Sequence, residues 1–517
     1  MSAALPRRLR VALALALTAP VVLASGAVAT TDPVSDVAAP LQTAPLQAET
    51  APVPLDLTAG DLVPGSALTS ADAPAPQAAP AAVTAPAATT SLADVRAVTG
   101  ADRTGLTGRG VDVAVIDSGV SPVPGLDAPG QLVHGPDLSF DGDDPARQHL
   151  DGLGHGTHMA GVVAGVAPGA RIVDVKVGAA DGAVDVSQVI AAVDWVVQHR
   201  DAEGLRIRVV NLSLGFDSAQ SAALDPLAYA VDRAERAGIV VVAAGGNDGK
   251  GDRRLSSPAN GPNVIAVGAA DTRGSTARSD AVVADFSAWG SPARRPDFVA
   301  PGARIASLRV PGSTLDTLYP AARLSDTAFR GSGTSQAAAV VSGAAALLLE
   351  QRPSLTPAEV KALLKRTATQ LPGSKRVGGA GLVDVAAAAA RHTPRSTPAH
   401  VTVLGTGTLE AARGGVRVVR DGVPLVGEVD VAGRPFDSAT WRAGHLDGRT
   451  WTGGSWAGRT WPGGSWAGGS WAGRTWTGGS WAGGSWAGGS WAGGSWAGGS
   501  WAGGSWAGST WHGISWG

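Results

Sequence analysis

Residues 113–119 read VAVIDSG. An unbroken apolar run that breaks into Asp-Ser-Gly is the pattern of a strand buried on both faces and closed by a turn. Interrupted only at Asp112, the run reaches back to Val111, and four more short Val/Ile-rich runs follow it at Ile172–Val177, Ile207–Leu212, Ile239–Ala243 and Val264–Val267. Helical periodicity fills the intervals. Val186–Arg200 carries Val189, Ile190, Val193, Val196 and Val197, and Leu224–Ala237 stops at Gly238. Strands alternating with helices predict an α/β fold: a mostly parallel central sheet with helices on both faces. Ligands of such sheets bind beyond the carboxyl ends of the strands, where Asp117, Ser213 and Asn247 fall.

Two further stretches carry chemistry. Gly154–Gly161 reads GHGTHMAG, and Gly331–Ala339 reads GSGTSQAAA. With Asp117 they offer an acid, an imidazole at His155 and an alcohol at Ser335. A serine hydroxyl is a poor nucleophile unless an imidazole takes its proton, and the imidazole needs a carboxylate to fix its tautomer. Each residue also has a plainer reading. Asp117 suits a turn, and His155 suits a structural histidine or a metal pair with His158, although no HExxH pattern accompanies them. Ser335 opens an apolar helix running to about Arg352 before Pro353, so it suits a cap.

VAVIDSGV, HGTHMAG, GVAPGARI, NLSLG, VVVAAGGNDG, VIAVGA, APGARIAS and GTSQAAA occur in one order along residues 113–339. In these motifs the chain resembles the subtilisin-like serine proteases (subtilases, peptidase family S8), over roughly residues 91–392. The resemblance implies a serine endopeptidase with Asp117, His155 and Ser335 as catalytic residues. It implies Asn247 as the oxyanion donor, beside the Ser335 backbone N–H. It also implies that Ser213, Leu214 and Gly215, with Ala244, Gly245 and Gly246, line the substrate pocket and present backbone edges to an extended peptide. Small Ala and Gly walls make that pocket open and apolar. The family usually has Met and then Pro after the serine, where this chain has Gln336 and Ala339.

No organic or redox cofactor is required by this chemistry. Calcium stabilises many relatives, and the acidic loop Asp141–Asp144 (DGDD) reads either as a calcium site or as a solvated loop. The chain has no cysteine, which excludes a disulfide framework and a thiol mechanism. A net charge of -2, without a basic stripe, speaks against nucleic acid as partner. Polypeptide substrates and a monomeric enzyme are the expectation.

Five segments are expected along the 517 residues. Residues 1–29 read as an export signal: Arg7, Arg8 and Arg10 precede the apolar Val11–Ala24, and Ala27-Val28-Ala29 offers a cleavage site. Secretion, with an extracellular or surface-associated enzyme, follows from it. Residues 30–90 are Ala/Pro-rich, a propeptide or linker too poor in large apolar residues to fold alone. Residues 91–392 form the peptidase domain, and 393–440 a linker with short β-like stretches within Val401–Val431. From Trp441 a five-residue Trp-Gly-Ser repeat runs to Trp516, with Leu446 in one Trp slot, and it holds fifteen of the 17 tryptophans. Three readings of this tail stand open: an indole array that stacks on glycans or cell-wall polymer, a solenoid, or a spacer. The rival to an enzyme is a catalytically silent surface-binding protein on the same scaffold.

Overall fold

The computed structural model describes residues 88–446, apart from 143, 145, 203, 250–253, 373–376, 396, 416, 421–422 and 434, together with 459–461 and 464–466. The expected export signal, nearly all of the 30–90 segment and most of the repeat tail lie outside the described residues.

The main sheet comprises β1 (Asp112–Asp117), β2 (Leu132–Asp137), β3 (Arg171–Lys176), β4 (Ile207–Leu212), β5 (Val240–Ala244), β6 (Ile265–Asp271), β7 (Val282–Val283) and β8 (Phe298–Pro301). Its order is β2-β3-β1-β4-β5-β6-β7, with β8 also pairing β6. All pairings are parallel except that of β7. The five strands expected from the apolar runs correspond to β1, β3, β4, β5 and β6. Strand β2 (LVHGPD) carries no such run. Being the edge strand, it accommodates Pro136, since one side of its backbone has no ladder to complete.

The helices are α1 (Leu92–Thr99), α2 (His155–Val166), α3 (Val186–His199), α4 (Pro226–Arg236), α5 (Thr314–Leu318), α6 (Thr334–Gln351), α7 (Pro357–Thr367), α8 (Val385–Ala390), α9 (Leu409–Arg413) and α10 (Ser438–Leu446). Helices α3 and α4 each have a local reason to start where they do. Asp185 and Gln188 form a capping box on α3, and Asp225 caps α4 ahead of Pro226. Two apolar clusters fill the two faces of the sheet. One joins α3 and α4 to Ala114, Ile116, Val210 and Val241, and the other joins α2 and α6 to Val113, Val115, Val209 and Val242. Successive β residues thus alternate between two cores, which is why the strands read as continuous apolar runs.

Helix α6 is buried from Thr334 through Leu349. Only small side chains let it pass so close: a Cβ on Gly343 would lie 2.7 Å from Val166 Cβ of α2. The stretch expected to be a linker behaves differently from that expectation. Leu409, Ala412, Val431, Phe436 and Trp441 are buried in the α3/α4 core, and Val419–Arg420 pairs antiparallel with Val423–Pro424.

Candidate active site

Strand order reverses direction between β1 and β4, and the sequence-predicted residues collect at the carboxyl ends of the strands around that point. Asp117 is the last residue of β1, Ser213 follows β4, and Asn247 follows β5. His155 is the first residue of α2, and Ser335 lies in the first turn of α6.

Asp117 and His155 meet directly. His155 Nδ1 lies 2.7 Å from Asp117 Oδ1, with both side chains shut off from solvent. An ionised carboxylate only accepts, so Nδ1 carries the proton and the Nε2 lone pair is turned to the other side of the ring. Asp117 Oδ1 also accepts from the Ser118 backbone N–H at 2.8 Å, which fixes the carboxylate.

The start of α2 is held by a residue that sequence reasoning missed. Asp151 accepts from Gly154 N–H at 2.7 Å and from Thr157 N–H at 2.7 Å, and receives the Ser118 hydroxyl at 2.8 Å. Ser118 Oγ in turn accepts from Gly156 N–H at 2.9 Å. Burial pushes the Asp151 carboxyl up, and these hydrogen bonds oppose the shift. Gly156 closes the arrangement, because a Cβ there would stand 2.2 Å from Gly119 O and 3.1 Å from Asp117 Cβ. The sequence signal was an acid just ahead of a helix start, which is common enough to pass unnoticed.

Ser335 meets Ser213. Its hydroxyl donates to the Ser213 carbonyl at 2.8 Å, and the Ser213 hydroxyl donates back to the Ser335 carbonyl at 3.0 Å. Asn211 Nδ2 donates to Ser213 Oγ at 2.8 Å, while Asn211 Oδ1 accepts from Ser342 Oγ at 2.9 Å. The residue at the α6 N-cap is Gly333, with no side-chain cap bond, so Ser335 is not a cap. Asn247 is joined to the same turn: its Oδ1 accepts from Thr334 N–H at 2.7 Å and Thr334 Oγ at 3.0 Å. The side-chain oxygen of Asn247 is thus fixed as an acceptor at the start of α6. Gln336, where relatives usually carry Met, is fully buried, and neither amide atom has a hydrogen-bonding partner.

The two segments expected to line the pocket are braced from behind. Gly245 N–H donates to Val267 O at 2.9 Å, and Gly246 N–H donates to Thr334 Oγ at 3.2 Å. Ser256 stands between the segments: a Cβ at Gly215 would lie 2.7 Å from Ser256 Cβ, and one at Gly246 3.0 Å from its Oγ. Leu214 and Ala244 are buried beside them.

His158 is buried, and burial pushes its imidazole down to about 3, so it is neutral. The acidic loop does not fit calcium at Asp141. That carboxylate is nearly buried and accepts from Lys176 Nζ at 3.1 Å and Ala180 N–H at 2.7 Å, so a fixed ammonium already supplies the counter-charge. Asp144 is exposed and pairs with Arg147 at 3.3 Å, and Asp143 lies outside the described residues.

Comparison with known proteins adds to this geometry. The model of the subtilase family (Peptidase S8) matches residues 108–381. Serine protease AprX of Bacillus subtilis (strain 168) is 38% identical over 277 residues, covering 50% of this chain and 61% of AprX. Subtilisin Savinase of Lederbergia lenta is 38% identical over 297 residues, covering 56% of this chain and 94% of that protein. The chain thus spans a little under two-thirds of AprX. A solved cold-adapted subtilisin-like serine proteinase is 32% identical, with 54% of this chain and 89% of that one covered and a TM-score of 0.42.

Proposed function

The chain belongs to the subtilase family of serine peptidases, and we propose that it is a secreted endopeptidase whose nucleophile is Ser335. His155 Nε2 takes the hydroxyl proton as Oγ attacks the scissile carbonyl, then returns it to the leaving amine. Asp117 holds the imidazole and stabilises its cation. The tetrahedral oxyanion is received by Asn247 Nδ2 and the Ser335 backbone N–H, at a helix N-terminus where negative charge is favoured. In the resting arrangement the Ser335 proton is directed to the Ser213 carbonyl. Substrate binding redirects it to His155, in keeping with catalytic hydrogen bonds that tighten only in the complex. Water then hydrolyses the acyl-enzyme by the reverse proton route.

The observation that carries the reading is the buried 2.7 Å contact of Asp117 with His155. A turn-forming Asp or a structural His has no need of it. The peptide lies extended between the Ser213–Gly215 and Ala244–Gly246 segments, and the open, apolar pocket around them accepts many sequences. The enzyme acts as a monomer, and its Trp-rich repeat attaches it to glycan or cell-wall polymer.

Labelling by a fluorophosphonate and casein cleavage are expected for the parent, and neither for Ser335→Ala. A folded parent that takes no label would instead make the chain a silent binding protein. Retention on insoluble glycan is to be compared with and without residues 447–517, and equal retention would remove the attachment role.

A further inference from the structure

Away from the proposed catalytic residues, two histidines and an aspartate meet at the outer edge of the sheet. His134 on β2 is register partner to Asp174 on β3, and His149 stands in the loop that leads to α2. One ligand atom of each lies within 4.8 Å of the other two. The imidazoles face one another with ring centroids 5.1 Å apart, and His134 Nδ1 is 2.9 Å from Asp174 Oδ2. His149 is only 8% exposed, yet neither of its ring nitrogens has a hydrogen-bonding partner, and Asp174 Oδ1 also lacks one. Burying a polar group without a partner is unfavourable, and a shared ligand would relieve that cost here. It would be simpler to place an apolar residue at position 149 if packing were the whole purpose.

We propose that His134, His149 and Asp174 form a binding site for a divalent transition-metal ion of the zinc type. Two imidazole nitrogens and one carboxylate match the donor set of a zinc site with one position open. Calcium takes six to eight oxygens and is a poor match. Tetrahedral zinc with bonds of about 2.0–2.1 Å sets its ligands roughly 3.4 Å apart, so binding adjusts a triangle whose edges are at most 4.8 Å. Side-chain rotation supplies that adjustment. His134 is about one-third exposed, which opens the fourth position to water. The ion's charge meets the Asp174 carboxylate. The nearby cation, Lys176, is already neutralised by Asp141 at 3.1 Å and Asp137 at 3.9 Å. Binding displaces the proton shared by His134 and Asp174.

The ion's role is to pin the loop that carries His149. Two residues on, Asp151 holds the first turn of α2 and thereby His155. The ion touches no reacting atom, so its effect on catalysis is one of positioning.

The test uses the full-length, untagged Ser335→Ala chain, which cannot digest itself, dialysed against EDTA and returned to chelator-free buffer. ZnCl2 titration, metal content after gel filtration and the visible spectrum of the Co2+ form are the readouts. One Zn2+ per chain, a tetrahedral Co2+ spectrum and a raised Tm are expected, whereas CaCl2 gives no binding that depends on these histidines. His149→Ala and His134→Asn should each weaken zinc binding by at least roughly tenfold with circular dichroism unchanged. If His149→Ala fails to fold, the partly exposed His134→Asn decides. A parent that binds no zinc, or zinc binding untouched in the folded variants, overturns the proposal.

Discussion

Ser335 shows what a side chain's surroundings add to its identity. Its hydroxyl could have capped α6, yet it bonds the Ser213 carbonyl, while Gly333 takes the cap position. The sequence offered Asp117, His155 and Ser335 by their chemistry and their motifs, and Asn247 through the family resemblance alone. The residues that hold them were not legible. Asp151, Thr334 and Asn211 earn their roles through contacts that only the fold creates, 30 residues or more away in the case of Ser118–Asp151 and Asn211–Ser342.

Buried imidazoles also set a pH limit at this scale. His158 is pushed down to about 3 and His199 to about 4, in both cases chiefly by burial. The unfolded chain binds their protons near 6.5, well before the native state does. Their contribution is therefore complete above pH 6.5 and is lost as pH falls toward 3–4, at about 1 kcal/mol per pH unit for each histidine. Glu235 and Asp174, pushed up by burial to about 8 and about 6, act in the opposite sense over the same range. The imidazole share is therefore read by difference: the urea midpoint of Ser335→Ala should fall further from pH 7 to pH 5 than that of Ser335→Ala carrying His199→Gln. Identical pH dependence in the two would refute the buried, neutral state of His199.

Among elements, the central strands were legible because each is buried on both faces, and β2 was not because it lies at the edge. Helix α6 was legible from its Ala/Gly content and Pro353, although an all-round buried helix has no apolar stripe to read. The close seat of α2 against β1 was not visible in sequence, beyond the small residues that allow it. Gly156→Ala probes that seat. The added carbon would meet the backbone at Gly119 and force α2 away from Asp117. A shift of this kind misplaces His155, and kcat/KM on a peptide substrate should fall by roughly 10²-fold. Gly415, where a Cβ meets nothing within 4 Å, provides the control for an Ala substitution. Parent-like activity in Gly156→Ala would show that the seat is not tight.

At the scale of the whole molecule, the peptidase body extends further than residue 392. Arg413 is buried and sets its Nε 2.6 Å from Asp185 Oδ2, on the residue that caps α3. Trp441 is buried edge-on to Tyr229, with ring centroids 5.4 Å apart, and tilted against Phe436 at 5.8 Å. The sequence hid this because the stretch is short of large apolar residues, and its few contribute singly to a core made elsewhere. Arg413→Ala leaves Asp185 buried with its charge uncompensated, so it should cost about 3–5 kcal/mol, measured by urea unfolding. Ending the chain at residue 395 should destabilise at least as much, while ending it at 446 should not. A stable, active chain ending at 395 would restore the linker reading.

Trp441 is both the first ring of the five-residue array and a member of the α3/α4 core. Any load borne by the array therefore enters the enzyme through an indole wedged between helices. Tension reaching Trp441 would therefore act on the α3/α4 core itself and not on a surface hinge.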